Sequence, residues 1–570
     1  MDKITDSLLA TFSTEHELQM LPENTRFEHF ANYSIISKLN RSTFDIQDVH
    51  TGAGGDCAMD GICLIANGNI ITDIDELQEI VKGPGYLDAD IIFIQSKTTS
   101  SFNGSDIGSF IHGVKDFLSD EPRLVQNEKV QQAKVLWDSI ISMSADMVNR
   151  RPHCRLFYVC TGKWVGDKNL QAIIDSGTQE IDALGLFDFV KITPNGSSEI
   201  QRLYRETRNK LSSTVFFQSR ITMPDIEGVQ EAYLGLMPFN EFIKLIQDEN
   251  QTIHNIFEDN VRDFQGNNAV NEKIKETLES KKFHLFCLLN NGVTVVASSL
   301  TPTGNRLTLR DYQIVNGCQT SNVLHKCQNI DGIADVNIPV KIIVTDSDDI
   351  KTEITLATNS QTEVKTEQLE ALSAFQKKLE LYYNAESEIV RLYYERRSQQ
   401  YNSLDIKRTQ IITIPMQIKA FASVFLTSPH LVSGYYGTIV QRFKDQIFAD
   451  DHKLLPYFVS SLCYFRIEQF FRGGDLSTDY KKTRFQLMML VKMISMGCQH
   501  SPLNSNRIER ECEQLKTELL DEDRAIELFK VAARIFRTSG IDLSKRQYKS
   551  ESDTDLLRRA AEAYINANEG

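Results

Sequence analysis

Asp60, Gln95, Ser96 and Lys97 are the residues of this chain whose types and spacing could do chemistry together. An acid at the mouth of one apolar run, followed by an amide and an ammonium two positions apart at the end of the next, supplies the parts for holding Mg²⁺ or Mn²⁺ beside a phosphate. The carboxylate, the amide oxygen and a main-chain carbonyl are hard ligands for the ion, and the ammonium orients an attacking water. Side chains alternate along a strand, so Gln95 and Lys97 share one face, and Ser96 offers its carbonyl as the further oxygen. Left unpaired in a core, such groups would cost about 2–5 kcal/mol. They are therefore expected at an open strand end, with Asp60 as their partner. A structural ion pair between Asp60 and Lys97 would use the same residue types. The flanking text, Gly54-Gly55-Asp56 before Asp60 and Thr98 after Lys97, favours a site.

The elements that must position these residues are legible around them. Phe27 to Leu39 has apolar residues at helical spacing and brings Glu28 to the helix entry as a further carboxylate. Gly61 to Ala66, Asn67-Gly68 and Ile70 to Thr72 read as a hairpin, which puts Asp60 at the mouth of its first strand. Ala89 to Lys97 begins with an apolar run typical of a strand buried on both faces. Helices over about 106–120 and 126–149, a strand over 155–160, a helix over 170–184 and a strand over 187–192 complete an α/β domain, assigned to residues 1–210.

Residues 211–400 read as an α+β domain, with strands around 284–289, 293–299, 306–315 and 339–345 and a helix over 319–328. Asn290 and Asn291 would end one strand. Asn316 would end another, and Gln319-Thr320 would open a helix whose free N–H groups suit an anion. Capping of turns and helix ends is the commoner use of such amides. Residues 401–570 read as all-α, with Gly473-Gly474 and Ser539-Gly540 as breakers.

With 570 residues, 41% hydrophobic and 24% charged, the chain has the composition of a multidomain globular protein. Its net charge of −15 excludes a global basic field for nucleic acid. Any such contact must be local, and Arg396-Arg397 forms the best basic cluster for it. The ten cysteines include no CxxC pair and are expected as reduced thiols. No run of eighteen apolar residues occurs and the start is acidic, so no membrane association is expected and the cytoplasm is the expected compartment.

An acid, a β unit and then Gln-x-Lys on the next strand resemble the PD-(D/E)xK core of restriction-endonuclease-like folds. The resemblance implies a Mg²⁺-dependent nuclease with Asp60, Gln95, Lys97 and Glu28 as catalytic residues, and Asp60, Gln95 and the Ser96 carbonyl on the metal. Gln95 departs from the charged residue usual there and should weaken the metal site. Further along, Leu288-Leu289-Asn290-Asn291-Gly292-Val293 and Tyr312-Gln313-Ile314-Val315-Asn316-Gly317-Cys318-Gln319-Thr320-Ser321 resemble the AIPR family, named for abortive infection and phage resistance. Asn260 to Asn267 and Tyr394-Glu395-Arg396-Arg397 extend the resemblance over about 255–400. The two resemblances imply an antiphage protein that cleaves DNA or RNA in response to a phage-derived trigger, or a catalytically inactive scaffold that binds nucleic acid or a phage protein. A homodimer is the commonest assembly for a soluble protein.

Overall fold

The computed structural model describes residues 1–40, 43–52, 54–82, 85–147, 150–208, 211–247, 256, 269–347, 350–351, 353–354, 357, 366–386, 389–396, 399–434, 436–542 and 549–568. Two compact units are present. Met1–Leu9, Pro22–Ile70 and Pro84–Thr366 make the first, and Ala10–Leu21, Ile71–Gly83 and Glu367–Gly570 the second.

The first unit holds two sheets. The earlier one comprises β1 (Gly61–Ala66), β2 (Asn69–Ile70), β3 (Ala89–Lys97), β4 (His153–Cys160) and β5 (Phe189–Asn195), in the order β2-β1-β3-β4-β5. β1 runs antiparallel to β2 and β3, while β3, β4 and β5 are parallel. The β1–β2 hairpin turns on Asn67 and Gly68, at φ 47° and 79°, the left-handed pair that a two-residue turn requires. Helix α1 spans Lys3–Glu15 and α2 spans Glu23–Leu39. After α3 (Ile46–Val49) come α5 (Gly104–Leu118), α6 (Glu128–Ser142), α7 (Lys168–Asp182) and α8 (Ser197–Arg208), while α4 (Ile74–Lys82) belongs to the second unit. From Ile91 to Ser96 every residue of β3 is buried, as its apolar run demands. At its far end, burial alone would raise the Asp90 pKa, but Arg150 and His153 hold that carboxyl at about 2.

The second sheet comprises β6 (Ser212–Phe216), β7 (Ser219–Thr222), β8 (Glu231–Pro238), β9 (Val293–Thr303), β10 (Arg306–Asn316) and β11 (Asn337–Val344), in the order β6-β10-β9-β11-β8-β7. With it go α9 (Phe239–Ile246), α10 (Ala269–Glu279), α11 (Phe286–Leu289) and α12 (Cys318–Lys326). The strand expected over 284–289 is instead a 3₁₀ turn, Phe283–Leu285, followed by α11. The reason is spacing. Phe283 and Phe286 are buried three residues apart, whereas Leu288 and Leu289 are 77% and 61% exposed, a helical pattern rather than an alternating one. The sequence pattern also named none of β6, β7, β8 or α9. In the three strands Val215, Ala232, Tyr233 and Met237 are buried while Phe216, Ile221, Leu234 and Leu236 are exposed, so apolar residues fall on both faces and alternation across 211–238 is faint.

The second unit is mostly helical, built on Thr366–Ala385, Ile414–Val424, Leu455–Gly473, Arg484–Met496, Asn506–Leu520, Glu522–Thr538 and Glu551–Asn568. A short parallel ladder joins Tyr393–Glu395 to Ile411–Thr413. Inside it Gln417 is fully engaged. Its amide nitrogen donates to the Tyr457 carbonyl and to Ser460, and its oxygen accepts from Tyr383 and Ser461. All ten cysteines are free thiols, seven of them buried. No described helix is long and apolar enough to cross a membrane.

Candidate functional site

The β1–β3 ladder ends at Gly61 opposite Ile94, so Asp60 lies one residue beyond it and meets Gln95 and Ser96. Its Oδ2 accepts hydrogen bonds from Gln95 Nε2 at 2.7 Å, from the Ser96 main-chain N–H at 2.7 Å and from Ser96 Oγ at 3.1 Å. The main chain of Asp60 is held as well, since its carbonyl accepts from Asn32 Nδ2 of α2 at 3.0 Å. Gly61 makes that approach available. A Cβ there would stand 2.4 Å from Asn32 Oδ1.

The loop leading into Asp60 is strained and clamped. Gly54, Gly55, Cys57 and Ala58 all have φ between 56° and 77°, and for the two non-glycine residues this is an uncommon conformation. Asn127, the N-cap of α6, donates from its side chain to the carbonyls of Thr51 and Gly54, both at 3.0 Å, and from its main chain to Gly55. On α5, Gly113 lets the Cys57 carbonyl approach to where a Cβ would stand at 1.8 Å. Thr51 Oγ1 also donates to the Met59 carbonyl. Three helices thus fix the backbone that presents Asp60.

Burial raises the Asp60 carboxyl most, the charge of Glu28 adds to it, and the Ser96 N–H and Lys97 partly offset them, leaving a pKa of about 7. Glu28 itself is joined to His50, Oε2 to Nε2 at 2.8 Å, and His50 stacks on His29 with ring centroids 4.1 Å apart. Lys97 makes no ion pair among the described residues, though it lies close enough to Asp60 to favour its charged form. The structure therefore brings together Asp60, Gln95, Ser96, Lys97 and Glu28.

Gln95 Oε1 and the Tyr158 hydroxyl at this strand end are buried without a partner, as is Asn32 Oδ1 beside Gly61. Gln95 is 1% exposed and turns its NH₂ to Asp60, so its oxygen faces away. Tyr158 sits opposite Gln95 in the β3–β4 register. Sequence reasoning missed Tyr158, His50, Asn32 and Asn127. A tyrosine inside Leu156 to Cys160 reads as strand filling, and the only available signal was its alignment with Gln95, which requires knowing the register.

The oxygens here suit a hard cation in kind. Two carboxylates close enough to raise one of the two pKa values carry the excess negative charge a cation would relieve, and Gln95 Oε1 has no donor. Among the described residues no group of three His, Cys, Asp or Glu side chains is placed to hold an ion. Ligation would rest on Asp60 and Glu28, completed by the Ser96 carbonyl and by Gln95 after half a turn of its amide, a rotation that a cation on Asp60 would favour by displacing the NH₂.

The amides predicted in the second sheet are engaged locally. Asn290 does not end a strand but caps α11, its Nδ2 donating to the Phe286 carbonyl at 2.9 Å, because the residues before it are helical. Asn291 follows as an exposed residue in front of Gly292. Asn316 ends β10 and Gly317 caps α12 at φ 100°, where a Cβ would stand 2.7 Å from Val293 Cγ2. Gln319 Oε1 accepts from Asn271 Nδ2 at 2.8 Å, and Thr320 is buried. In the second unit Arg396 forms an ion pair with Glu380, both side chains largely buried. Arg397 lies outside the described residues.

Residues 257–472, which contain α12 and the strands around it, match the family model described as AIPR protein. That segment is similar to this family. The matched segment begins after α9 and ends within Leu455–Gly473, so it takes in α10 to α12 and β9 to β11 of the first unit and part of the helical unit. The Asp60 site lies wholly outside it. No curated protein and no solved structure matches the chain.

Proposed function

We propose that the five-stranded α/β region is a restriction-endonuclease-like, PD-(D/E)xK domain that hydrolyses phosphodiester bonds of DNA or RNA, in a protein whose AIPR-like segment suggests antiphage abortive-infection defence. The observation that carries this reading is the buried Asp60 carboxylate at a strand end, facing Gln95 and Ser96 with Lys97 near it. A bound Mg²⁺ or Mn²⁺ would supply Lewis-acid stabilisation of the charge that grows on the phosphate. Asp60 and Glu28 would hold the ion, with His50 fixing the Glu28 carboxylate as an outer partner. The Lys97 ammonium would orient the attacking water and balance the anionic site. Asp60 must be ionised to bind a cation, so affinity and rate should climb as pH rises through about 7.

One observation favours the other reading, a catalytically inactive scaffold that binds nucleic acid or a phage protein. Gln95 donates to the carboxylate that the ion would need, and no trio of acidic, His or Cys side chains supports it among the described residues. The deciding assay uses labelled DNA and RNA strands with Mg²⁺, Mn²⁺ or EDTA, with and without phage lysate as trigger. Asp60→Ala and Lys97→Ala should each lower metal-dependent cleavage by at least about 10³-fold. Phage protection that survives both substitutions unchanged would select the scaffold.

A further inference from the structure

We propose that Tyr158 is a catalytic residue of the Asp60 site whose hydroxyl donates a hydrogen bond to a non-bridging oxygen of the phosphodiester. This rests on the phosphodiesterase reading above and adds to it a group on a third strand.

Tyr158 is 1% exposed, yet its hydroxyl has no hydrogen-bond partner, and tyrosine hydroxyls that are buried normally find one. Gln95 Oε1, directly across the β3–β4 ladder, is also buried and unpartnered. In a parallel pair, register partners project to the same face, so the two polar ends share one space without reaching each other. A spare donor and a spare acceptor on one face suit a polar guest. When the Gln95 amide turns, its acceptor becomes a donor, but the Tyr158 hydroxyl is left without a protein partner either way.

Chemistry narrows the guest. Burial pushes the phenol well above its usual range, and the charges of Asp106, the Cys160 thiol and Asp60 push it further, so the hydroxyl stays neutral and protonated wherever the enzyme works. It offers a hydrogen bond and transfers no proton. A phosphoryl oxygen gains negative character during displacement and accepts such a bond more strongly in the transition state. The ring is held independently of the hydroxyl. It packs near Phe102, with centroids 6.0 Å apart, and Phe102 in turn packs edge-on against Trp164 at 4.9 Å. Removing the oxygen alone therefore leaves the packing in place.

A structural hydroxyl and a catalytic one predict opposite stability changes for Tyr158→Phe. If the hydroxyl is satisfied by an internal water, its loss strands that water's other partners and lowers Tm. If it waits for substrate, its loss removes a buried unpaired polar group, and Tm stays or rises. The test uses the full chain with the labelled strand that the wild type cleaves, measuring kcat and KM, Tm without substrate, and polarisation of a labelled 20-nucleotide strand in Ca²⁺. The expected result is kcat lower by about 10- to 100-fold with a smaller change in KM, weaker strand binding, and Tm equal or higher. A Tm lower by more than about 2 °C, or unchanged kcat and strand binding, overturns the assignment. Should the wild type neither bind nor cleave any strand with Mg²⁺ or Mn²⁺, the phosphodiesterase reading falls and this assignment with it. Cleavage that is equal in wild type and variant removes only the role of Tyr158.

Discussion

Two strand ends of the first unit carry clustered polar residues, and they are settled differently. At the end of β10, Asn316-Gly317 turns into α12, and nearby amides are used at close range: Asn290 caps α11, Gln319 binds Asn271, and Asn322 donates to the Cys318 carbonyl. At the end of β3, Asp60 gathers three donors on one oxygen and is still raised to about 7, while Gln95 Oε1 and the Tyr158 hydroxyl have no partner. Both regions are rich in polar text. The second holds a buried carboxyl whose charge is left uncompensated, and an uncompensated charge is where a ligand can add most. Satisfied amides hold a fold together, whereas a tense carboxylate beside orphaned oxygens is arranged for a guest.

The largest effect that would break this contrast is on the pH dependence of stability. Asp60 has a folded pKa of about 7 against 3.8 for a free side chain, so the folded state holds a proton that the unfolded chain has released between those values. The contribution of this group to stability should therefore be fullest below about pH 4 and be lost as pH rises to about 7, by as much as about 4 kcal/mol. Asp60→Asn should remove that slope, coming nearest to wild type at or below about pH 4 and exceeding it at pH 8 in EDTA. Chemical denaturation at several pH values measures this, and parallel curves for the two proteins would show that the carboxylate is not tense.

A mid-sized effect sharpens the contrast. Gln95→Glu replaces the NH₂ that faces Asp60 Oδ2 by a carboxylate oxygen, so in EDTA the variant should lose about 2 kcal/mol at pH 8. Added Mn²⁺ should restore Tm in the variant by more than it raises Tm in wild type, because the two carboxylates then share a cation. Calorimetry with and without metal reads both. A variant as stable as wild type in EDTA would mean that Gln95 does not confront Asp60.

The smallest effect comes from the other strand end. Gln319→Ala removes the bond to Asn271 and should cost about 1 kcal/mol, seen as a slightly lower Tm, with cleavage unchanged within about twofold. A large loss of cleavage or of strand binding in that variant would move the functional centre toward α12 and undo the comparison.

By itself the sequence determined those parts of the molecule that depend on neighbours in the chain. Apolar runs delimit β1 and β3 to the residue, and the two-residue Asn67-Gly68 turn leaves the β1–β2 hairpin little freedom of register, whereas the β1–β3 pairing that brings Gln95 to Asp60 joins segments separated by β2 and α4. Helical spacing placed α2, and residues 401–570 read as helical without individual bounds. Where periodicity was weak it misled, as at Phe283 to Leu289, or was silent, as across β6, β7 and β8. Tertiary structure alone decided the rest. It set Glu28 against His50 and near Asp60, turned the Gln95 amide toward the carboxylate, aligned Tyr158 with Gln95, and paired Gln319 with Asn271. Each of those depends on register or packing between segments far apart in the chain, and the charge and satisfaction of a buried polar group follow from its surroundings in space rather than from its neighbours in sequence.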